Sequence, residues 1–276
     1  MNVKRIILGF IFLSLAFVSQ AQTRIEQIQS ASETGLFSVQ SQNQQDQNKV
    51  IVNQLGNYNT VSVEQSNSSE FEKANQAILL QEGNQNQTDM EQEGSRNSLI
   101  SLQLGYLSTR FSTTNPSPLF EVLSANFSLV DYVFGDLSSS DRNTIVSKQE
   151  GSNNGLISLQ VGSDNYMSAS QMGQNNYLVA TQIGQFNHLL DFKQENQSSS
   201  EFLLESITQL GRNNLIEFSG TIKGQIYGNS YKQSGENLAL KLNTSLITSL
   251  GGMEITQTGH DMTIVIDQSY FSFPMK

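Results

Sequence analysis

The chain has no cysteine and no tryptophan, and its 276 residues include only three prolines and two histidines. Without cysteine there is no disulfide framework and no thiolate site for zinc or an iron–sulfur cluster. His188 and His260 alone leave little for histidine-based metal binding or a catalytic triad. An enzyme is therefore not expected, and no catalytic residue, cofactor or metal ligand is assigned. Positive charge is also scarce: 15 Lys and Arg against 25 Asp and Glu give a formal charge of −10. That sign opposes binding to nucleic-acid phosphates or to an anionic membrane face.

One apolar run is present, at residues 6–18, behind Lys4 and Arg5 and ahead of Ser19-Gln20-Ala21. This is the layout of a secretory signal peptide over residues 1–21, cleaved before Gln22. A membrane anchor is the rival, but the run falls short of the roughly 20 residues a spanning helix needs. Removing Lys4 and Arg5 leaves 13 basic and 25 acidic residues, so the exported chain is near −12. The mature protein is expected to be secreted or surface-associated, with no later membrane span.

What the chain has in excess is side-chain amide: 30 Gln and 26 Asn, 56 of 276 positions. Their placement is periodic. Gln-x-Gly ends at Gly56, Gly83, Gly94, Gly105, Gly151, Gly162, Gly173, Gly184, Gly211, Gly235 and Gly259, with a spacing of 11 inside runs. In eight of these eleven cases an Asn follows five residues after the Gln: Asn59, Asn86, Asn97, Asn154, Asn165, Asn176, Asn187 and Asn214.

Alternation assigns the secondary structure. Asn75, Ala77, Leu79 and Gln81 fall on one side of a pleat, as do Asn86, Thr88, Met90 and Gln92. A period of two is that of a strand. A continuous helix would instead lose about 1 kcal/mol at each recurring glycine. Gly-x-x then supplies a turn, so each 11-mer is one strand and one turn, and two make a 22-residue coil. Stacked coils form an all-β, amyloid-like β-solenoid of about six or seven coils, with equivalent strands roughly 4.8 Å apart.

Stacking explains the amides, because a carboxamide both donates and accepts and can bond its copies above and below. The predicted ladder comprises Asn59, Asn75, Gln81, Asn86, Gln92, Asn97, Gln103, Asn143, Gln149, Asn154, Gln160, Asn165, Gln171, Asn176, Gln182 and Asn187. Ile145, Met167 and Leu189 are expected in one apolar column and Leu156 and Leu178 in the facing one. Small Ser147, Ala169, Ser158 and Ala180 let the two faces close.

This unit resembles the curlin repeat of bacterial curli fibre subunits, Ser/Asn-x5-Gln-x-Gly-x-x-Asn-x5-Gln. The match spans residues 48–105 and 143–268 and is best at 75–105 and 143–184. The resemblance implies a secreted functional amyloid that crosses the outer membrane through a dedicated pore with its assembly factors. It further implies polymerisation with itself or other curlin subunits on the cell surface, serving adhesion and biofilm. In that family a segment before the first repeat guides secretion. Residues 22–47, rich in Gln and Ser, occupy that place here, and a plain disordered N-terminus is the other reading.

The array is regular over residues 143–194 and degenerate over 195–276. Residues 106–142 interrupt it with Pro116, Pro118 and several aromatics. Proline cannot donate to a ladder, so this stretch reads as a loop or degenerate coil packed on the solenoid flank, or as a binding excursion. After Asn187 the phase slips: Asp191 and Lys193 would point inward, so a bulge or register shift is expected there, with Leu190, Phe192 and Gln194 taking up the alternation. His188 with Asp191 reads as surface, His260-Asp261 as turn chemistry, and Glu82, Glu93 and Glu150 as charged gatekeepers against association. Two functions remain open: a fibre subunit, of bulk or nucleating type, and a non-polymerising solenoid adhesin or accessory or capping protein.

Overall fold

The computed structural model describes residues 22–28, 37–42, 48–66, 74–104, 141–199, 202–223, 228–244 and 253–268. Every regular element among them is a strand. In chain order these are β1 (Gln22–Ile28), β2 (Phe37–Gln42), β3 (Lys49–Leu55), β4 (Thr60–Ser66), β5 (Gln76–Glu82), β6 (Gln87–Ser95) and β7 (Ser98–Leu104). Then follow β8 (Thr144–Ser152), β9 (Gly155–Ser163), β10 (Tyr166–Gln174), β11 (Asn176–Gln185), β12 (His188–Asn196) and β13 (Leu203–Arg212). The last are β14 (Leu215–Gly220), β15 (Ile222–Lys223), β16 (Asn229–Glu236), β17 (Ala239–Thr244), β18 (Glu254–His260) and β19 (Thr263–Gln268). The predicted signal segment, Gly105 and nearly all of the 106–142 interruption lie outside the described residues.

Successive strands alternate between two sheets, which makes the fold a β-solenoid. One sheet has ten strands in the order β1-β4-β6-β8-β10-β12-β14-β17-β19 with β15 beside β12; the other has nine, β18-β16-β13-β11-β9-β7-β5-β3-β2. Setting aside β1, β15 and β2, each sheet is eight parallel strands deep. The coil repeat is 22 residues from Gln81 to Gln103 and from Gln160 to Gln182, but 27 from Gln182 to Gln209 and 24 from Gln209 to Gln233. Between Gln182 and Gln209 one added residue is an irregularity within β12, and the other four lie between β12 and β13, where the chain leaves the ten-stranded sheet for the nine-stranded one. The long interruption falls at the opposite corner, between β7 and β8.

Alternation buries one side of each strand, as the burial patterns of β4 and β5 show. Val50, Val61, Leu79, Leu99, Ile145, Leu156, Met167, Leu178 and Leu189 belong to one continuous core between the sheets. Ser147, Ser158, Ala169 and Ala180 are buried with them. Towards the C-terminus larger rings replace these small residues: Phe192 packs edge-on to Phe218 at 4.9 Å between centroids, and Phe218 to Tyr231 at 5.3 Å. Such contacts add about 0.5–1.5 kcal/mol each beyond the area they bury.

The phase slip after Asn187 is a bulge. Met167 pairs with Leu189 but Ala169 pairs with Phe192, and Asp191 takes a positive φ of 55°. Leu189 remains inward while Leu190 and Asp191 both face out, so the alternation resumes at Phe192 rather than at Leu190. The bulge keeps a carboxylate out of the core at the cost of one local ladder irregularity.

Within residues 22–47 the structure places two strands, and their pairing differs from that of the rest. β1 pairs antiparallel with β4, Ile25 opposite Val63, and β2 pairs antiparallel with β3, Val39 opposite Val52. The N-terminal end of the solenoid is thereby covered on both sheets. At the other end β18 and β19 each have a neighbour on one side only, among the described residues.

Candidate functional site: amide ladders and coil ends

Most strands bring their last inward position to a corner, and glutamine occupies it. In the nine-stranded sheet Nε2 of Gln54 donates to Oε1 of Gln81 at 2.7 Å, Gln81 to Gln103 at 2.8 Å and Gln103 to Gln160 at 3.0 Å. The series continues from Gln160 to Gln182 at 2.8 Å, to Gln209 at 2.8 Å, to Gln233 at 3.0 Å and to Gln257 at 2.7 Å. In the ten-stranded sheet Gln65 donates to Gln92, Gln92 to Gln149 at 2.6 Å, Gln149 to Gln171 at 2.8 Å and Gln171 to Gln194 at 2.9 Å. That ladder stops where Gln194 meets Ile222.

Both ladders have a direction. Gln160, Gln182 and Gln209 give their second N–H to the backbone carbonyls of Thr144, Tyr166 and His188 at 2.9–3.0 Å. A carbonyl oxygen only accepts, so the amide end against it is the NH2 group. Oε1 therefore faces the N-terminal end of the solenoid throughout, and the ladder donates towards the C-terminal end.

The asparagines line the corners where each strand begins. Backbone N–H groups of Asn86, Asn143, Asn165 and Asn187 donate to Oδ1 of Asn59, Asn86, Asn143 and Asn165 at 3.0–3.1 Å. Asn75, Asn97, Asn154 and Asn176 form the matching column in the other corner, above Asn48. Nδ2 of Asn165 reaches Gly184 O at 3.1 Å, tying the corner to the glycine column. Those glycines have positive φ, and Gly162 (φ +105°) shows why the column is glycine: a Cβ there would sit 2.0 Å from Gly184 O. The chain then turns at the residue before most of these Asn, which is held near φ 53–59° whatever its type, Tyr58, Arg96 and Phe186 included.

All the predicted ladder residues lie in these columns, and the structure adds members. Gln54, Gln209, Gln233 and Gln257 belong to the Gln-x-Gly series and extend the ladder beyond its expected members. Gln65 and Gln194 were outside that series because Asn67 and Asn196 stand where glycine is expected.

Buried polar atoms without partners mark where the columns start or fail. Oε1 of Gln54, Oε1 of Gln65 and Oδ1 of Asn57 have none, and all three belong to the first coil. Oδ1 of Asn176 has none because the next residue in its corner is Leu203, whose N–H goes to Asn175 O at 3.0 Å. An unpaired buried acceptor costs about 1–3 kcal/mol, against a net gain near 1 kcal/mol for each completed bond.

No protein-family model, curated protein or solved structure matches this chain. The site therefore stands on its own geometry.

Other groups offer little chemistry. His188 is exposed on the outer face with its ring edge-on to Tyr166 at 6.3 Å, and Asp191 lies on the bulge. His260 is exposed with Nδ1 4.0 Å from Glu236. Glu93 and Glu150 stand opposite each other in adjacent strands, while Lys148 pairs with Glu91 at 3.1 Å and Lys241 with Glu217 at 2.8 Å. Being exposed, these pairs contribute little to stability, but each joins neighbouring coils in register. A groove of about 310 Å³ at the bulge is lined by Asp89, Glu91, Lys148, Asp191 and Lys193, whose charges largely offset one another. Among the described residues no three His, Asp or Glu side chains gather as a metal site.

Among the described residues one carboxylate side chain enters the core. Glu205 is fully buried, accepts from Nδ2 of Asn229 at 2.9 Å through Oε1, and leaves Oε2 unpartnered. Burial pushes its carboxyl up from 4.5 to about 8, opposed by the Asn229 hydrogen bonds. Tyr231, inward on the neighbouring strand, has an unpartnered hydroxyl raised above the ordinary phenol range by burial and by the Glu205 charge. The carboxyl is thus held protonated near neutrality.

Outside the solenoid core a second buried cluster forms on the outer face of the nine-stranded sheet: Leu102, Leu104, Leu159, Val161, Ile183 and Leu210.

Proposed function

We propose that the protein is a structural subunit of an extracellular curli-like fibre, exported to the cell surface and joined end to end by β-strand addition. The observation that carries this reading is the directional amide ladder. It runs the length of the nine-stranded sheet and leaves acceptors unsatisfied at one end. A closed monomer gains nothing from buried acceptors without partners, whereas a stack of copies continues the ladder across each junction. The curlin-like repeat and the signal-like leader support the same reading, with adhesion and biofilm matrix as the role and other curlin chains, a secretion pore and assembly factors as partners.

The antiparallel strands β1 and β2 favour a second reading, a solenoid that stays monomeric or caps other curlin chains. Seeded growth of residues 22–276 separates the two. Fibres whose fragments abolish the lag of fresh protein support the subunit. Protein that stays monomeric for days at high concentration, and neither seeds nor is seeded by a curlin partner, contradicts it.

A further inference from the structure

We propose that β1 and β2 are an exchangeable cap over the first coil, displaced by the last coil of a second copy of this chain. This rests on the fibre reading and specifies how the junction forms. The two strands are the exception in a stack otherwise parallel: β1 covers β4 and β2 covers β3, both antiparallel. They close the backbone edges of the first coil but leave its side-chain columns unfinished. Gln54 and Gln65 are fully buried, yet Oε1 of each lacks a donor, as does Oδ1 of Asn57.

The opposite end of the molecule carries the complement. Nε2 of Gln257 donates to Ala239 O at 3.0 Å, and its second N–H has no glutamine to follow. Inward residues of this coil are less covered than those beneath: Ile255 is 9% exposed where Tyr231 is 0%, and Met253, Ile264 and Ile266 are only partly buried. Laid parallel on the first coil of another copy, β18 sets Ile255 and Gln257 against Val52 and Gln54. In the same placement β19 sets Ile264 and Ile266 against Val61 and Val63. Apolar positions meet apolar ones, and the Gln257 donor meets the orphaned Gln54 acceptor in the sense used within the ladder. His260 stands at the corner position equivalent to Asn57, where an imidazole N–H can donate to Oδ1. The cap pairs the edge and leaves these acceptors open; a second copy supplies pairing and an amide donor, so exchange is favoured while the free monomer stays closed.

The absence of cysteine permits a clean test. Glu26 pairs opposite Ser62 and Gln40 opposite Ile51. One variant carries Glu26→Cys with Ser62→Cys, and a second carries Gln40→Cys with Ile51→Cys. Each is assayed for elongation from fibre seeds of the unaltered chain, oxidised and then after reduction. Elongation in the oxidised form is expected to slow by roughly tenfold or more, because the clamped strand can no longer open locally, and to recover on reduction. Equal rates in the two forms overturn the cap and leave the fibre reading standing. No elongation by either form or by the unaltered chain overturns the fibre reading and the cap with it.

Discussion

Gln160 and Gln182, one above the other in adjacent coils, share a hydrogen bond of 2.8 Å from Nε2 to Oε1, and both side chains are buried. Gln160 is held from the other side by Gln103 at 3.0 Å, and Gln182 passes the ladder to Gln209 at 2.8 Å. Register, burial and hydrogen bonding therefore meet in one pair.

Replacing both by Leu removes the pair and strands the Oε1 acceptor of Gln209, while Nε2 of Gln103 keeps Gln87 O and Asn143 O. The expected loss of stability is about 2–5 kcal/mol, with slower polymerisation. The half-buried outward pair Ile157 and Val179, also opposed in the two strands, should tolerate Thr with little change. Denaturation midpoints and growth rates of the two double variants check this; equal effects contradict the inward assignment.

Two glycines distinguish stability from stacking. Gly162→Ala drives a Cβ to 2.0 Å from Gly184 O and should cost roughly 3 kcal/mol or more. Gly259, on the last coil, also has positive φ, yet a Cβ there meets nothing within 4 Å. Gly259→Ala should therefore cost only the backbone strain, about 1–3 kcal/mol, in the monomer while blocking junctions, since a stacked copy would place Gly56 over it. Thermal unfolding combined with seeded growth reads both effects. Normal growth by Gly259→Ala contradicts coil-on-coil addition at this end.

Glu205 gives the fold a pH dependence. Its folded pKa is raised to about 8 from an ordinary 4.5, so between these values the folded state holds a proton that the unfolded state has released. This contribution is fully present below about 4.5, declines as pH rises and is exhausted above about 8. Glu205→Gln should remove it. Denaturation at about pH 5 and about pH 9 should show a larger loss at high pH for the unaltered chain than for Glu205→Gln. An equal loss in both contradicts a buried, protonated Glu205.

Much of the fold is legible in the sequence because its repeat is simple. Strand period and glycine spacing predict a solenoid, and the phase slip at Asp191 announces its bulge. Less legible are residues whose neighbours break the motif. Gln65 and Gln194 join the ladder without a following glycine, since the inward position, not the glycine, makes a ladder member. Phe186 and Tyr58 adopt left-handed turns that local preference assigns to Gly or Asn, because the stacked corners impose that geometry. Glu205 gives no sign in a degenerate coil where any inward residue type can appear. β1 and β2 carry no repeat, so their antiparallel docking is set by the open edges they cover.

The most direct measurement is fibre diffraction from aligned, polymerised residues 22–276. End-to-end stacking of the solenoid predicts a meridional reflection at about 4.8 Å, with an equatorial one near 10 Å from the sheet separation. Protein that yields no ordered fibre, or fibres whose roughly 4.8 Å repeat lies across the fibre axis, contradicts it.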